Sequence, residues 1–149
     1  MAASVTRCHT MAQSTTDAEQ IATDYVKLWN EREFERIPEL VAESFVHVDP
    51  DGSEVHGRDG MEEYIRGILA GFPDLHVSVT DMMSSGNTVM YEATLTMTHE
   101  GEFEGIPPTG RELELREMAT IEVADGRVEA HRVYFDNQET LRQLGLVEE

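Results

Sequence analysis

The sequence predicts an α+β fold, with N-terminal helices packed on one face of a curved antiparallel sheet. Apolar residues recur at helical spacing through the first half of the chain and alternate at strand spacing through the second. The changeover falls at Gly71-Phe72-Pro73, where proline disfavours helical geometry in its predecessor. Helices first and strands afterwards is the order expected when one sheet carries all its helices on the same side.

The 149 residues fit one domain with a real core. Residues 1–15, rich in Ser, Thr and Ala, read as a disordered tail, and 16–149 as the domain. Met1 and Met11 are both candidate starts. Thr15 or Thr16 is placed to cap a first helix, with Asp17 and Glu19 at the positive end of its dipole. Ala18, Ile21, Ala22, Tyr25, Leu28 and Trp29 then form one apolar face, to about Arg32. A short helix over Glu35 to Ala42 buries Ile37, Leu40 and Val41. A strand from Phe45 to Val48 ends at the turn Asp49-Pro50-Asp51-Gly52. A third helix opens near Gly57 and carries Met61, Tyr64, Ile65, Ile68 and Leu69. Strands follow over Leu75 to Met82, Thr88 to Thr98, Glu112 to Val123 and Val128 to Phe135, the last two joined by Asp125-Gly126. Gly105-Ile106-Pro107-Pro108-Thr109-Gly110 reads as a rigid connection. Leu141, Leu144 and Leu146 close the chain as a short helix, with Gly145 as its cap.

Charge excludes some functions. Thirty acidic residues face eleven basic ones, for a net charge of −19. Nucleic acid as a partner needs a basic surface, so it is excluded. A 40% hydrophobic content with clear periodicity argues against an acidic disordered chain. Lys27 is the single lysine, and the pairing of lysine depletion with high negative charge predicts a halophilic protein. No apolar run approaches the ~20 residues of a membrane span, and the opening residues lack the apolar core of a secretory signal. The single cysteine, Cys8, permits no internal disulfide, which makes a reducing cytoplasm the expectation.

Residues 113–123 carry the main chemical clue. Leu113, Leu115, Glu117, Ala119, Ile121 and Val123 share the face that alternation assigns to the core, and Glu117 is its one carboxylate. Burying it costs several kcal/mol unless it is paired, hydrogen-bonded or neutralised. Glu117 is therefore a candidate acid or base with a raised pKa, or else the partner of an arginine such as Arg132 or Arg111. On the next strand Glu129, His131, Val133 and Phe135 share a face, which makes His131 the second catalytic candidate, or a hydrogen-bonded core histidine. His47 shares its strand face with Phe45 and points toward the same interior. His47-Val48-Asp49-Pro50-Asp51 lacks a second cluster, so no metal is expected. His99 and His56 read as loop or rim residues. Trp29 and Tyr64 are core residues placed to line the mouth of a pocket.

Phe103-Glu104-Gly105-Ile106-Pro107-Pro108-Thr109-Gly110-Arg111, Asp125-Gly126-Arg127, His131 to Asp136 and Thr140-Leu141-Arg142-Gln143-Leu144-Gly145, in that order, resemble the SnoaL-like polyketide cyclases. These are a branch of the nuclear-transport-factor-2-like superfamily of cone-shaped domains, and the resemblance spans residues 18–147. It implies that Glu129, His131, Val133 and Phe135 face the cone's interior, and it aligns Glu117, Ala119 and Val133 with the family's polar pocket residues. In the family an aspartate at the Val133 position is the general acid/base for an intramolecular aldol closure. A histidine at the Ala119 position and a glutamine at the Glu117 position assist it. Valine and alanine transfer no proton, so Glu117 and His131 are the remaining candidates. The expected protein is a cytoplasmic homodimer with neutral outward positions at Met90, Thr94, Thr96, Met118 and Thr120. It would act without cofactor on a hydrophobic carbonyl compound, as a cyclase or isomerase. The alternative is a non-catalytic ligand-binding domain of the same fold; a ketosteroid-isomerase-like proton shuttle and an epoxide hydrolase follow only by analogy of fold.

Overall fold

A computed structural model of the chain describes residues 2–147, with side chains from Asp17 onward. The first helix, α1, spans Ala2–Glu31. The side chains of Cys8, Thr15 and Thr16 lie outside those described, and the expected tail over residues 1–15 falls there too. From Asp17 the helix buries Ala18, Ala22, Tyr25, Leu28 and Trp29 of the expected apolar face, leaves Ile21 half-buried and buries Val26 in addition. Fully burying each large side chain contributes ~2 kcal/mol. Asn30 ties the helix to the sheet, since its side chain donates to Val77 O (2.9 Å) and accepts from Val77 N (2.8 Å).

A 3-10 turn at Phe34–Arg36 leads into α2 (Ile37–Leu40), and β1 (Val41–Val48) begins directly after it. The helix expected over Glu35 to Ala42 is thus cut short. Val41 takes an extended backbone and pairs with Val128. Strand pairing wins over local helical periodicity there. A short strand that the sequence did not announce, β2 (Glu54–His56), pairs antiparallel with the end of β1. It is followed by α3 (Gly57–Gly71), β3 (His76–Ser85), β4 (Thr88–Thr98), β5 (Glu112–Ala124), β6 (Arg127–Tyr134) and α4 (Asn137–Gln143). Asp136 caps α4 by accepting from Gln138 N and Glu139 N, and Gly145 adopts a positive φ just beyond its end.

The six strands form one sheet in the order β2-β1-β6-β5-β4-β3. All pairs are antiparallel except β1 with β6, which run parallel because the chain visits β2, α3 and three strands before returning beside β1. Register shifts interrupt β3/β4 after Val79, β5/β6 after Glu122 and β1/β6 between Val41 and Val46. Such irregularities bend strands and increase twist, which curves the sheet around its helices. The β5/β6 shift also corrects the expected inner face of β6. The bulge sets Glu129 outward, exposed, while His131 and Val133 remain inside.

The helices cover the concave face of the sheet. The core runs from Tyr25 and Leu28 on α1 through Phe45 on β1 and Met61 and Ile65 on α3 to Val89, Leu115 and Ile121. The chain crosses back over α3 at Gly101, where an added Cβ would meet Ala70 O at 2.0 Å. Glu100 N and Gly101 N both donate to Gly71 O there (3.0 and 3.1 Å). Among the described residues no helix is long and apolar enough to cross a membrane.

Candidate functional site

Between the sheet and the helices lies a cavity of about 1060 Å³. That is room for a polycyclic small molecule. Phe72, Leu75, Leu95, Met97, Phe103, Ile106 and Leu115 give it apolar walls, joined by Leu141 of α4 and Leu144 at its C-terminal cap. Of the residues expected to face it, Glu117, His131, Trp29, His47, Tyr64, Val133 and Phe135 line it. Ala119 is buried but does not line it. It sits in register between Tyr91 on β4 and Val133 on β6.

Glu117 points inward because β5 alternates without interruption, burying each odd position from Leu113 to Val123. The residue as a whole is 7% exposed. Burial pushes its pKa up to about 7, against the opposing effect of a hydrogen bond with Tyr91. The arginine pairing considered from sequence does not form. Arg132 pairs with Glu122, and Arg111 packs its guanidinium against Gly145. Among the described residues no lysine or arginine lines the cavity, whereas Asp49, Asp51, Glu54, Glu63, Glu102 and Glu104 do, besides Glu117.

His131 is fully enclosed and held at both ring nitrogens. Tyr25 Oη lies 2.9 Å from Nδ1 and Tyr91 Oη 3.3 Å from Nε2. Burial, and then the neighbouring His47, hold its pKa well below the ordinary value, so the ring is neutral at pH 7. A neutral imidazole donates from one nitrogen and accepts at the other. Two orders are consistent, Tyr25 O–H to Nδ1 with Nε2–H to Tyr91, or the reverse at both nitrogens. Tyr25 and Tyr91 are both held neutral by burial.

A second polar cluster faces the cavity from the β1 side. Asp49 Oδ1 accepts from the Tyr64 hydroxyl (2.6 Å) and from His47 Nε2 (3.0 Å). Burial works against ionisation of Asp49, but these two bonds outweigh it and hold its carboxyl below its ordinary value. His47 and His131 are register neighbours on β1 and β6, with ring centroids 4.9 Å apart. Trp29 stands over both rings at 6.5 and 6.4 Å. His47 Nδ1 and Trp29 Nε1 are buried without a partner, a bare acceptor and a donor on adjoining rings.

Sequence reasoning missed Tyr91, read Tyr25 first as a core residue, and weighed Asp49 only as a turn residue or metal ligand. Tyr91 was signalled by the same alternation that exposed Glu117, since β4 buries Val89, Tyr91, Ala93, Leu95 and Met97. His99 corrects the rim expectation. It is fully buried, accepts from Thr109 N at Nδ1 (3.2 Å), and lies against Phe72 outside the cavity lining. His56 stays at the surface, beside Glu54. Among the described residues no group of three or more His, Cys, Asp or Glu is arranged to hold a metal.

Solved structures share this architecture. AclR of Streptomyces galilaeus, for which a hydroxylase activity is proposed, superposes with a TM-score of 0.79 at 27% identity, covering 91% of this chain and 89% of that one. A nuclear-transport-factor-2-like protein of unknown function from Burkholderia pseudomallei superposes with a TM-score of 0.74 at 18% identity, covering 86% and 97%. The fold is therefore nuclear-transport-factor-2-like. In sequence, the chain is 40% identical over 47 residues to the nogalonic acid methyl ester cyclase of Streptomyces nogalater, covering 32% of this chain and 35% of that protein. It is 31% identical over 93 residues to the aklanonic acid methyl ester cyclase of Streptomyces peucetius, covering 62% of this chain and 64% of the relative. The match to the SnoaL-like polyketide cyclase family runs over residues 19–144, nearly the whole domain from α1 through α4. The chain belongs to the SnoaL-like polyketide cyclase family.

Proposed function

We propose that this chain is a cofactor-independent acid/base enzyme of cyclase or isomerase type, acting on a hydrophobic carbonyl compound with Glu117 as the proton-transferring group. The observation that carries this is a single buried carboxyl, facing a large apolar cavity, with a pKa pushed up to about 7 and no cation beside it. Such a group is half protonated at neutral pH, where general acid/base catalysis is most effective. It gives its proton to a carbonyl oxygen and takes one from the adjacent carbon, converting ketone to enol with no net change in the protein. His131, with both nitrogens engaged by tyrosines, positions Tyr91 behind Glu117 and does not itself meet substrate.

The lining also supports a substrate class. A free carboxylate would enter among acidic residues with no counter-ion, so the compound is uncharged at its acid groups. Two relatives are named for methyl esters, in which the carboxyl is masked. The engaged His131, with valine and alanine at the family's acid/base positions, favours the competing reading of a non-catalytic binder. Deuterium exchange at the α-carbon of 2-tetralone, a bicyclic ketone, separates the two. The enzyme reading expects the wild type to accelerate exchange and Glu117→Gln to lose ~10²–10⁴-fold. A wild type no faster than buffer leaves only the binder.

A further inference from the structure

The Glu117 chain accounts for one side of the cavity and leaves the Asp49–His47–Tyr64 cluster without a task. Asp49 accepts both its side-chain hydrogen bonds on one oxygen, from Tyr64 at 2.6 Å and His47 at 3.0 Å. A carboxylate only accepts, so the His47 proton sits on Nε2, and Nδ1 carries a free lone pair. That nitrogen is buried and bonded to nothing in the protein, on a ring that is 2% exposed and lines the cavity. A histidine with one nitrogen fixed by a carboxylate and the other unbonded is arranged to take a proton, because the carboxylate steadies the imidazolium that forms. The groups facing His47 are Asp49, Tyr64 on α3, Trp29 on α1 and His131 on β6; Asp49 alone is charged.

We infer that His47 is the base of this site and Asp49 its positioning residue, with Glu117 in its protonated form as the acid. The inference rests on the acid/base reading of Glu117 and divides the work between two groups. His47 Nδ1 removes the proton from a carbon beside a carbonyl. The electron pair of that C–H bond forms the enol double bond, the carbonyl π bond opens, and its oxygen takes the Glu117 proton. A second carbonyl within reach turns the same step into ring closure: the nucleophilic carbon forms a C–C bond, and the Glu117 proton goes to the new alkoxide. Solvent returns the proton from His47 to Glu117. The substrate is therefore a compound with an acidic C–H between two carbonyls or beside an aromatic ring.

The test is deuterium exchange into 2-tetralone by wild type, His47→Gln, Asp49→Asn and Glu117→Gln. Loss of ~10²–10⁴-fold in His47→Gln is expected of a general base. Asp49→Asn should lose at least ~10-fold in kcat with KM unchanged, and Asp49→Glu should recover part of the rate. A purely structural role would show no such recovery. Should His47→Gln fail to fold, the ¹⁵N signal of His47 Nδ1 in the wild type is followed as 2-naphthol, an enol mimic, is added; a shift into the hydrogen-bonded range is expected. His47→Gln at wild-type rate with Glu117→Gln inactive overturns this inference alone. His47→Gln inactive with Glu117→Gln at wild-type rate sinks the Glu117 reading and keeps the base. An Nδ1 signal untouched by 2-naphthol overturns the inference, and a wild type without exchange overturns both.

Discussion

Replacing Glu117 with glutamine should make the protein more stable at alkaline pH while costing it activity. The carboxyl rises from an ordinary 4.5 to about 7 on folding, chiefly through burial. At about 1.4 kcal/mol per pH unit, ionising it in the folded state costs roughly 3 kcal/mol. The folded pKa lies above the unfolded one, so between pH 4.5 and 7 the folded state binds more protons and stability falls as pH rises. Above pH 7 the full cost remains. Glutamine keeps the shape and a hydrogen-bonding group for Tyr91 but has no proton to lose. The stability difference between Glu117→Gln and wild type should therefore grow by roughly 3 kcal/mol in favour of the mutant from pH 4.5 to pH 8. Urea unfolding of both proteins at a series of pH values in constant salt measures it. The other carboxylates titrate in both proteins and cancel. Parallel curves would mean that Glu117 ionises in the folded state as it does in the unfolded chain, and the argument from its burial would fail.

The remaining predictions concern the surface and the cavity. Because no lysine or arginine among the described residues lines the cavity, 2-naphthoate should bind at least ~10-fold more weakly than 2-naphthol by fluorescence titration, and equal affinity would contradict an uncharged substrate. With a net charge of −19, melting temperature should climb as KCl shortens the Debye length from ~30 Å at 0.01 M to ~3 Å at 1 M, whereas a flat profile would refute adaptation to salt. Met83, Met90, Met118 and Tyr134 are exposed on the sheet face away from the helices, with Met83 opposite Met90 and Met118 opposite Tyr134. That patch predicts a sheet-to-sheet dimer. Light scattering should give twice the chain mass and Met118→Asp the single mass; a wild-type monomer at micromolar concentration would rule it out.

The sequence declares those parts of the molecule where one periodicity governs a whole element. β4 runs from Thr88 to Thr98 as the alternation places it, and β5 buries Leu113 through Val123 on the expected face, which brings Glu117 inward. It is silent where distant pairing decides. β2 has three residues and exists only because Val46, His47 and Val48 lie beside it. β1 starts at Val41 because β6 is there to receive it, although Ile37, Leu40 and Val41 fit a helical stripe. The bulge that turns Glu129 outward is a property of two strands together and leaves no mark in either alone. The site divides the same way. Glu117 stands out as a lone carboxylate on an apolar face. The meaning of His47-x-Asp49 depends on Tyr64, supplied by α3 across the cavity, and that of His131 on Tyr25 and Tyr91 from two other elements.

The carboxyl ¹³C resonance of Glu117, assigned by its loss in Glu117→Gln and followed against pH, tests the proposed chemistry most directly. A buried acid facing the cavity should show its inflection near pH 7, where burial has moved it from 4.5. An inflection at the ordinary carboxyl value would contradict the account.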